Sequence, residues 1–204
     1  MSLIPIPGSL KIQSSIPNVS IEFFTDEEIE SMKTYIQSHF KNRNKRSEVH
    51  RRYFLLVITL LRSGGRIDEV LQLKPIDFNF QYDTIRMLTL KKRKESYRVI
   101  PMQQELKNVI MEYFLEYHID PKSEQKIFPM KRQSVDEYFK KMQVELGFRI
   151  HAHKFRHTFG VKCILSNVPV NVLQKWLGHS SIFTTSIYTE ITGMDTKRFM
   201  DQIG

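Results

Sequence analysis

The chain has 204 residues, of which 31 are Lys or Arg and 22 are Asp or Glu, so its formal net charge is +9. Its single cysteine excludes an internal disulfide, and its longest apolar run is far shorter than the about 20 residues of a membrane-spanning helix. We expect a globular, cytoplasmic protein with no membrane contact, whose excess positive charge binds a polyanion such as nucleic acid.

The first part of the chain differs from the rest. Residues 1–20 are rich in proline, glycine and serine, show no helical period, and are predicted to form a linker or tail. The folded part is expected to span residues 21–204 as one domain. Its first helix begins at Thr25, which makes a capping box with Glu28, and runs through Ile36.

A basic loop at residues 41–48 precedes an apolar helix predicted at 51–62. Gly64 and Gly65 tolerate positive φ and are expected to end that helix. A short helix then begins near Arg66, at a position where free backbone N–H groups suit an anion.

The pattern then changes to strands. Residues 84–90 and 97–102 are β-prone and flank a basic turn, which predicts a hairpin. Further helices are predicted from Leu106, from a capping box made by Ser134 and Glu137, at 153–165 and at 170–177. The fold class is therefore mainly α with a small antiparallel β-sheet (α+β).

The distribution of charge is uneven. Between Glu145 and Glu190 there is no Asp or Glu, although the composition predicts about five in such a stretch. A surface without carboxylates suits a bound phosphate backbone, because each acid would repel it. The basic residues of this stretch are Arg149, Lys154, Arg156, Lys162 and Lys175.

A group of chemically active side chains lies in the same stretch. His153, Arg156 and His157 are three and four residues apart, so they project from one side of a predicted helix. His179 follows the next helix, and Tyr188 follows nine residues later in an uncharged segment. Taken singly, His157 and Tyr188 are also compatible with ordinary core residues.

Five blocks occur in order over residues 63–189. They are Ser63-Gly-Gly-Arg66-Ile-Asp-Glu69-Val, a basic hairpin ending Arg98-Val-Ile-Pro101, His153-Lys-Phe-Arg156-His-Thr-Phe, Leu177-Gly-His179-Ser and Tyr188-Thr. Together they resemble the catalytic domain of the tyrosine recombinases, or phage-type integrases. The departures from the family pattern are Gly65, Asp68, Phe155 and Gly160, and none of them removes a functional group.

The resemblance implies a site-specific DNA recombinase that cuts and rejoins strands. Tyr188 would attack a phosphodiester and become a 3′-phosphotyrosine. Arg66 and Arg156 would grip the nonbridging oxygens, since a guanidinium fork matches a phosphate. His153 and His179 would add hydrogen bonds to the phosphate.

The resemblance also implies supporting roles. Glu69 would hold the Arg66 region in place. Counting back from Pro101, Lys92 falls at the family's hairpin lysine and would protonate the leaving 5′ oxygen, with Lys94 as a competing candidate. The residues expected to contact DNA are Lys91, Arg93, Lys94, Arg98 and Lys154.

By the same resemblance, the partner is double-stranded DNA, on which four copies act together, whereas the free chain can be a monomer. A helix at 195–203 would be exchanged between copies. No metal or other cofactor is expected. The family's N-terminal DNA-clamping domain is absent before residue 21, so the chain is expected to be either a catalytic fragment or a minimal member.

Three alternatives share part of this pattern. A type IB topoisomerase uses the same chemistry to relax DNA as a monomer, but the Leu177-Gly-His179 block favours a recombinase. His151-Ala-His153 also fits the metal motif of tyrosine nucleases that leave a 5′ linkage, although this segment is predicted to open a helix. The third alternative is a catalytically inert DNA-binding module, but every expected functional group is present.

Overall fold

The structure is a computed structural model that describes residues 11–13, 20–39, 45–89, 96–181, 184–185 and 187–188. Its helices are α1 Asp26–Ser38, α2 Lys45–Ser63, α3 Ile67–Val70, α4 Gln104–Glu116, α5 Arg132–Leu146, α6 Ala152–Leu165 and α7 Val170–Leu177. Its strands are β1 Lys11–Gln13, β2 Ser20–Glu22, β3 Phe78–Asn79, β4 Thr84–Thr89 and β5 Ser96–Pro101. The predicted class, mainly α with a small antiparallel sheet, is confirmed. Across these ranges, no helix is both long and apolar enough to cross a membrane.

The first two strands form a small antiparallel sheet of their own, in which residue 12 pairs with Ile21. The sequence predicted only a linker or tail before residue 21, so β1 is a difference. Its physical reason lies in Ile21, which is 2% exposed and packs in a small apolar cluster with Phe159 and Leu177. Anchoring of β2 on this cluster provides an edge with which β1 can pair.

Helix α1 begins where the capping box predicts. The Thr25 hydroxyl accepts a hydrogen bond from the Glu28 N–H at 3.1 Å, and the Glu28 carboxylate accepts one from the Thr25 N–H at 3.1 Å. Ile29, Met32 and Ile36 follow at helical spacing and are buried in the main core. The local sequence therefore determines both the start of α1 and its inner face.

Helix α2 lies at the centre of the main core and packs against α1, α4 and α6. It begins at Lys45, earlier than the predicted residue 51, and ends at Ser63, one residue after the predicted 62. Side chains on all sides of its second half are buried, including Leu55, Leu56 and Ile58. A helix that is apolar all round is stable only inside a core, which places the loop after Ser63 at the centre of the molecule.

The predicted hairpin is present as β4 and β5, with Leu88 opposite Tyr97 and Thr89 opposite Ser96. Its turn, at residues 90–95, lies outside the described residues. A short third strand, β3, pairs with β4 and was not predicted, because two residues carry no periodic pattern.

The starts of α5 and α6 also differ from prediction, and α4 begins at Gln104, two residues before the predicted Leu106. Helix α5 begins at Arg132 with Lys131 at its N-cap, so the predicted capping box at Ser134 does not form. Burial of Val135 and Phe139 determines the position of this helix more strongly than the local polar sequence does. Helix α6 begins one residue before the predicted 153, and α7 matches its prediction of 170–177.

Part of the positive charge of the acid-free stretch is neutralised by acidic side chains near the start of the fold. Arg149 is bonded to Glu22 at 2.8 Å and Lys154 to Glu28 at 3.2 Å. Lys162 is bonded to Asp26 in α1. The expectation of a surface without carboxylates is therefore wrong for these three basic residues.

Candidate active site

Arg66 lies in the loop between α2 and α3, immediately before the first turn of α3. Its backbone N–H donates to Glu69 Oε2 at 3.0 Å, and its guanidinium donates to Glu69 Oε1 at 3.0 Å. The Arg66 side chain remains 24% exposed. Glu69 therefore holds the arginine at both ends while leaving part of the guanidinium open to a ligand.

The Glu69 carboxylate is buried and also accepts a hydrogen bond from Arg98 Nη2 at 2.6 Å. Burial by itself would raise the pKa of Glu69, but the hydrogen bond and charge of Arg98, with the Arg66 backbone, lower it below its usual value. Glu69 is therefore a carboxylate at neutral pH. It connects the two arginines.

Arg156 projects from α6 toward the same loop and is only 2% exposed. Its Nη1 donates to the Gly64 carbonyl at 2.8 Å, and its Nη2 donates to the Leu177 carbonyl at 2.7 Å. Burial, followed by repulsion from Arg66, lowers the pKa of Arg156 to about 10, so it remains charged at neutral pH. A buried cation repelled by a second one favours an anion nearby, because the anion would offset both charges.

Gly64 positions the Arg156 partner. It adopts φ +60°, and a Cβ at this residue would lie 2.4 Å from Phe159 Cδ1. Only glycine combines this backbone conformation with such close packing, so the Gly64 carbonyl can point at Arg156. At the neighbouring Gly65, the Met87 side chain occupies the space that a Cβ would need, since its sulfur would lie 2.7 Å from that Cβ.

His179 follows Gly178, which ends α7 in the left-handed conformation with φ +65°. His179 Nδ1 and the Thr185 hydroxyl are hydrogen-bonded at 2.9 Å. The end of α7 is held by Arg98, whose Nε donates to the Trp176 carbonyl at 2.8 Å, in addition to the Leu177 carbonyl bound by Arg156. Cations at a helix C-terminus are favourable, so both arginines stabilise the placement of His179.

These elements surround a cleft of about 400 Å³. Its lining includes Arg66, Ser96, Arg98, His179, Ser180 and Thr184. Two guanidinium groups, one imidazole and three hydroxyl groups suit an oxyanion such as a phosphate.

Tyr188 is brought close to this site but lies in an apolar environment. It is 2% exposed, and its hydroxyl is hydrogen-bonded to His157 Nδ1 at 3.1 Å. Burial raises the pKa of Tyr188 to about 12, while the charge of Arg156 opposes this rise. His153 lies on the exposed side of α6 with its ring 4.4 Å from that of His157. All five predicted residues of the active site outside the hairpin are therefore clustered around α6 and the ends of α2 and α7.

The residues predicted to contact DNA have a different outcome. Lys91, Arg93 and Lys94 lie outside the described residues, and so does Lys92, which was predicted as the general acid. Arg98 is turned inward, with a side chain only 9% exposed, where it binds Glu69 and α7. Lys154 is corrected from a DNA contact to an internal residue, because its ammonium is fully buried against Glu28 and the Phe24 ring.

The sequence did not reveal the roles of His157 and Arg98. His157 and its partner Tyr188 are 31 residues apart, so no local sequence pattern relates them. Arg98 resembles the other basic residues of its hairpin. Only their contacts distinguish them. His151, which belongs to the alternative metal motif, caps α6 and lies 3.6 Å from Glu22. Among the described residues, no group of three or more His, Cys, Asp or Glu could hold a metal ion.

Comparison with known sequences decides the family. The sequence profile of the Phage integrase family matches residues 22–193. The chain belongs to this family. That assignment confirms the resemblance drawn from the five blocks and gives no support to the topoisomerase or inert-module alternatives.

Curated relatives of this integrase-family chain include proteins named tyrosine recombinase and others named probable integrase/recombinase. One is the tyrosine recombinase XerA of Saccharolobus solfataricus, which is 30% identical over 67% of this chain and 45% of its own length. The chain spans between 45% and 64% of the first curated relatives it matches.

Solved structures have the same fold. The catalytic domain of bacteriophage HP1 integrase superposes with a TM-score of 0.60 at 19% identity, covering 89% of this chain and 94% of that one. The Tn1549 transposon integrase in complex with a circular intermediate DNA superposes with a TM-score of 0.68 at 20% identity, covering 93% and 68%. The predicted catalytic-domain fold is thereby confirmed.

Proposed function

We propose that this chain is the catalytic part of a site-specific DNA recombinase, which cuts and rejoins DNA strands through a 3′-phosphotyrosine intermediate. The observation that carries the proposal is the convergence of Arg66 and Arg156 on one loop, with His179 and Tyr188 beside them. Two fixed cations beside a tyrosine are what transfer of a phosphodiester to a hydroxyl requires.

The chemistry follows from the charges. Tyr188 Oη passes its proton to His153 and attacks phosphorus, a new O–P bond forms, and the bond from phosphorus to the 5′ oxygen breaks. The transition state carries extra negative charge on the nonbridging oxygens, and the guanidinium groups of Arg66 and Arg156 offset it. His153 and His179 donate further hydrogen bonds. Reversal of these steps rejoins the strand, so the phosphotyrosine conserves the energy of the broken bond and no cofactor is required.

The leaving 5′ oxygen takes up a proton, which we assign to Lys92, with Lys94 as the competing candidate. Lys92→Ala is expected to slow cleavage by about 10²- to 10⁴-fold on ordinary DNA. A substrate with sulfur at the bridging 5′ position needs no proton to leave, so it restores most of the rate of Lys92→Ala but not that of Arg156→Ala. Rescue of Lys94→Ala in place of Lys92→Ala would move the acid to Lys94.

Double-stranded DNA is the proposed partner. The net charge of +9 and the basic hairpin support it, as does the DNA bound to the similar Tn1549 integrase. Arg93 and the hairpin lysines are assigned to the DNA backbone. Four copies are proposed to assemble on two duplexes, and sedimentation of the chain with and without DNA measures this directly.

Covalent trapping tests the proposal. The chain is incubated in EDTA with DNA that flanks its gene, carrying sulfur at the bridging 5′ position. We expect a covalent adduct at Tyr188 on the 3′ end of the cut strand, found by peptide mapping. Tyr188→Phe should bind this DNA normally and form no adduct, because it loses only the attacking oxygen. A 5′ linkage, or a requirement for a divalent ion, would contradict the proposal and favour the His151-Ala-His153 alternative.

A further inference from the structure

The Tyr188 side chain occupies a buried packing site that is separate from the anion-binding cleft. It belongs to the small apolar cluster that contains Ile21, Phe159 and Leu177, and it is 2% exposed. Among the described residues, Arg66, Arg98 and His179 line the cleft, whereas Tyr188 does not. Its hydroxyl is therefore buried and does not line the cleft.

Gly160 forms one wall of this packing site. A Cβ built on Gly160 would lie 2.6 Å from Tyr188 Cζ and 2.7 Å and 2.9 Å from the two Cε atoms. Real Cβ contacts are not this short, so the tyrosine ring rests directly on the backbone of α6. Glycine in the middle of a helix is unfavourable relative to alanine, because it gives up more backbone entropy. Its presence here has a packing reason, namely the space for this ring.

The second contact is with His157, three residues before Gly160 on α6. Its Nδ1 lies 3.1 Å from Tyr188 Oη, and the two rings meet at 62°. Burial lowers the pKa of His157 to about 4 and raises that of Tyr188 to about 12. Both groups are therefore neutral at neutral pH. We assign the phenol as the donor and Nδ1 as the acceptor, since a phenol is the better donor.

This arrangement is unsuited to the chemical step. A nucleophile must approach phosphorus to about 3–3.5 Å, and a buried hydroxyl that is bonded to His157 does not present its oxygen to the cleft. His157 is also a poor base here, because transferring the phenol proton to it runs against a pKa difference of about eight units. The hydrogen bond therefore stabilises the neutral, unreactive tyrosine.

We propose that Gly160 and His157 are positioning residues that together hold Tyr188 in a stored conformation, from which the ring must be released before it attacks DNA. The proposal rests on the function proposed for Tyr188. Glycine provides the space and histidine the polar partner. Release exposes the hydroxyl beside Arg156, whose charge already reaches it. The rate of adduct formation is then proportional to the fraction of molecules in which the ring is released.

The test measures access to the Tyr188 ring without DNA. The chain is treated with tetranitromethane, and nitration of each tyrosine is followed by peptide mapping. Tyr82, which is 70% exposed, is the reactive internal standard, and Tyr113, which is 6% exposed, is the protected one. We expect Tyr188 in the unchanged chain to react as slowly as Tyr113.

Three variants separate the two contacts. Gly160→Ala removes the space and His157→Leu removes the acceptor, so each should raise Tyr188 nitration tenfold or more relative to Tyr113. His157→Gln keeps an acceptor oxygen and should remain close to the unchanged chain. Gly147→Ala is the matched control, since a Cβ at Gly147 meets no atom within 4 Å.

Three results would overturn the proposal: fast nitration of Tyr188 in the unchanged chain, unchanged protection in both Gly160→Ala and His157→Leu, or an equal rise at Tyr113. If Gly160→Ala fails to fold, His157→Leu and His157→Gln still decide the outcome. Adduct formation on the sulfur-bridged DNA is measured in parallel, and the released variants should react faster. A chain that forms no adduct at all contradicts the proposed function, whereas nitration reports on the stored conformation alone.

Discussion

Arg98 Nη2 lies 2.6 Å from Glu69 Oε2, and this contact joins strand β5 to helix α3 in the interior of the protein. The same arginine binds the Trp176 carbonyl at the end of α7. Three elements that carry proposed catalytic groups are thus fixed by one side chain: the hairpin, the Arg66 loop and the segment before His179. Arg98 therefore positions these elements through Glu69 and α7, while its guanidinium also lines the cleft.

Removal of this side chain should destabilise the fold. Arg98→Ala leaves the buried Glu69 carboxylate without its shortest partner, and we expect a loss of about 3 kcal/mol in the free energy of unfolding. Urea denaturation measures it. The matched control is Arg86→Ala on the neighbouring strand, whose ion pair with Asp77 is half exposed and should contribute less than about 1 kcal/mol. Equal effects of the two changes would contradict the assigned role of Arg98.

Two glycines with the same backbone conformation should respond differently to alanine. Gly64 and Gly147 have φ +60° and +75°, so both variants incur the strain of a left-handed residue, about 1 kcal/mol. Only at Gly64 would the new Cβ overlap Phe159, at 2.4 Å. We expect Gly64→Ala to lose about 3 kcal/mol or more by thermal or urea unfolding, and Gly147→Ala about 1 kcal/mol. Similar losses would show that the packing around Gly64 relaxes easily.

Lys154 should not contribute to DNA affinity through its charge. Its ammonium is bonded to Glu28 and the Arg149 carbonyl inside the fold. Lys154→Met removes the charge and keeps most of the length of the side chain, so we expect lower stability but an unchanged slope of binding affinity against salt concentration. Arg93→Ala, at a proposed backbone contact, should reduce that slope by about 0.9. A reduced slope for Lys154→Met would return Lys154 to the DNA-contacting residues.

The buried His157 predicts a pH dependence of stability. Burial, with repulsion from His153 and Arg156, lowers its pKa from 6.5 to about 4, while Glu22 opposes the shift. Because the unfolded chain binds this proton more readily, the stabilisation is fully present above pH 6.5 and is lost as the pH falls toward 4. We expect a loss of about 2 kcal/mol between pH 6.5 and 5, measured by urea unfolding.

The variant and the pH range isolate this effect. His157→Gln cannot titrate and should flatten most of the curve between pH 7 and 5. His151, whose pKa burial also lowers, accounts for the remainder and acts in the same direction. Although burial alone would raise the pKa values of the buried Glu69 and the partly buried Glu105, neighbouring cations lower them, so both carboxylates titrate only in more acidic solutions. An identical curve for His157→Gln would place the titration elsewhere.

The sequence by itself was sufficient for features that depend on neighbouring residues. The capping box at Thr25, the glycines that end α2, and the hairpin all follow from side-chain chemistry within a few positions. The five ordered blocks also identified the family and the residues of the proposed active site. Local pattern did not predict β1 or the start of α5, because both depend on apolar contacts made elsewhere in the fold.

Only the tertiary structure decided which charged and polar groups face a ligand. Lys154 and Glu28 are 126 residues apart, and Arg149 and Glu22 are 127 apart, so no sequence pattern pairs them. No sequence pattern pairs Tyr188 with Gly160 and His157 either, although these two residues of α6 form its packing site. The physical reason is that burial and electrostatic pairing depend on distances in space, and folding brings together groups that the chain keeps far apart.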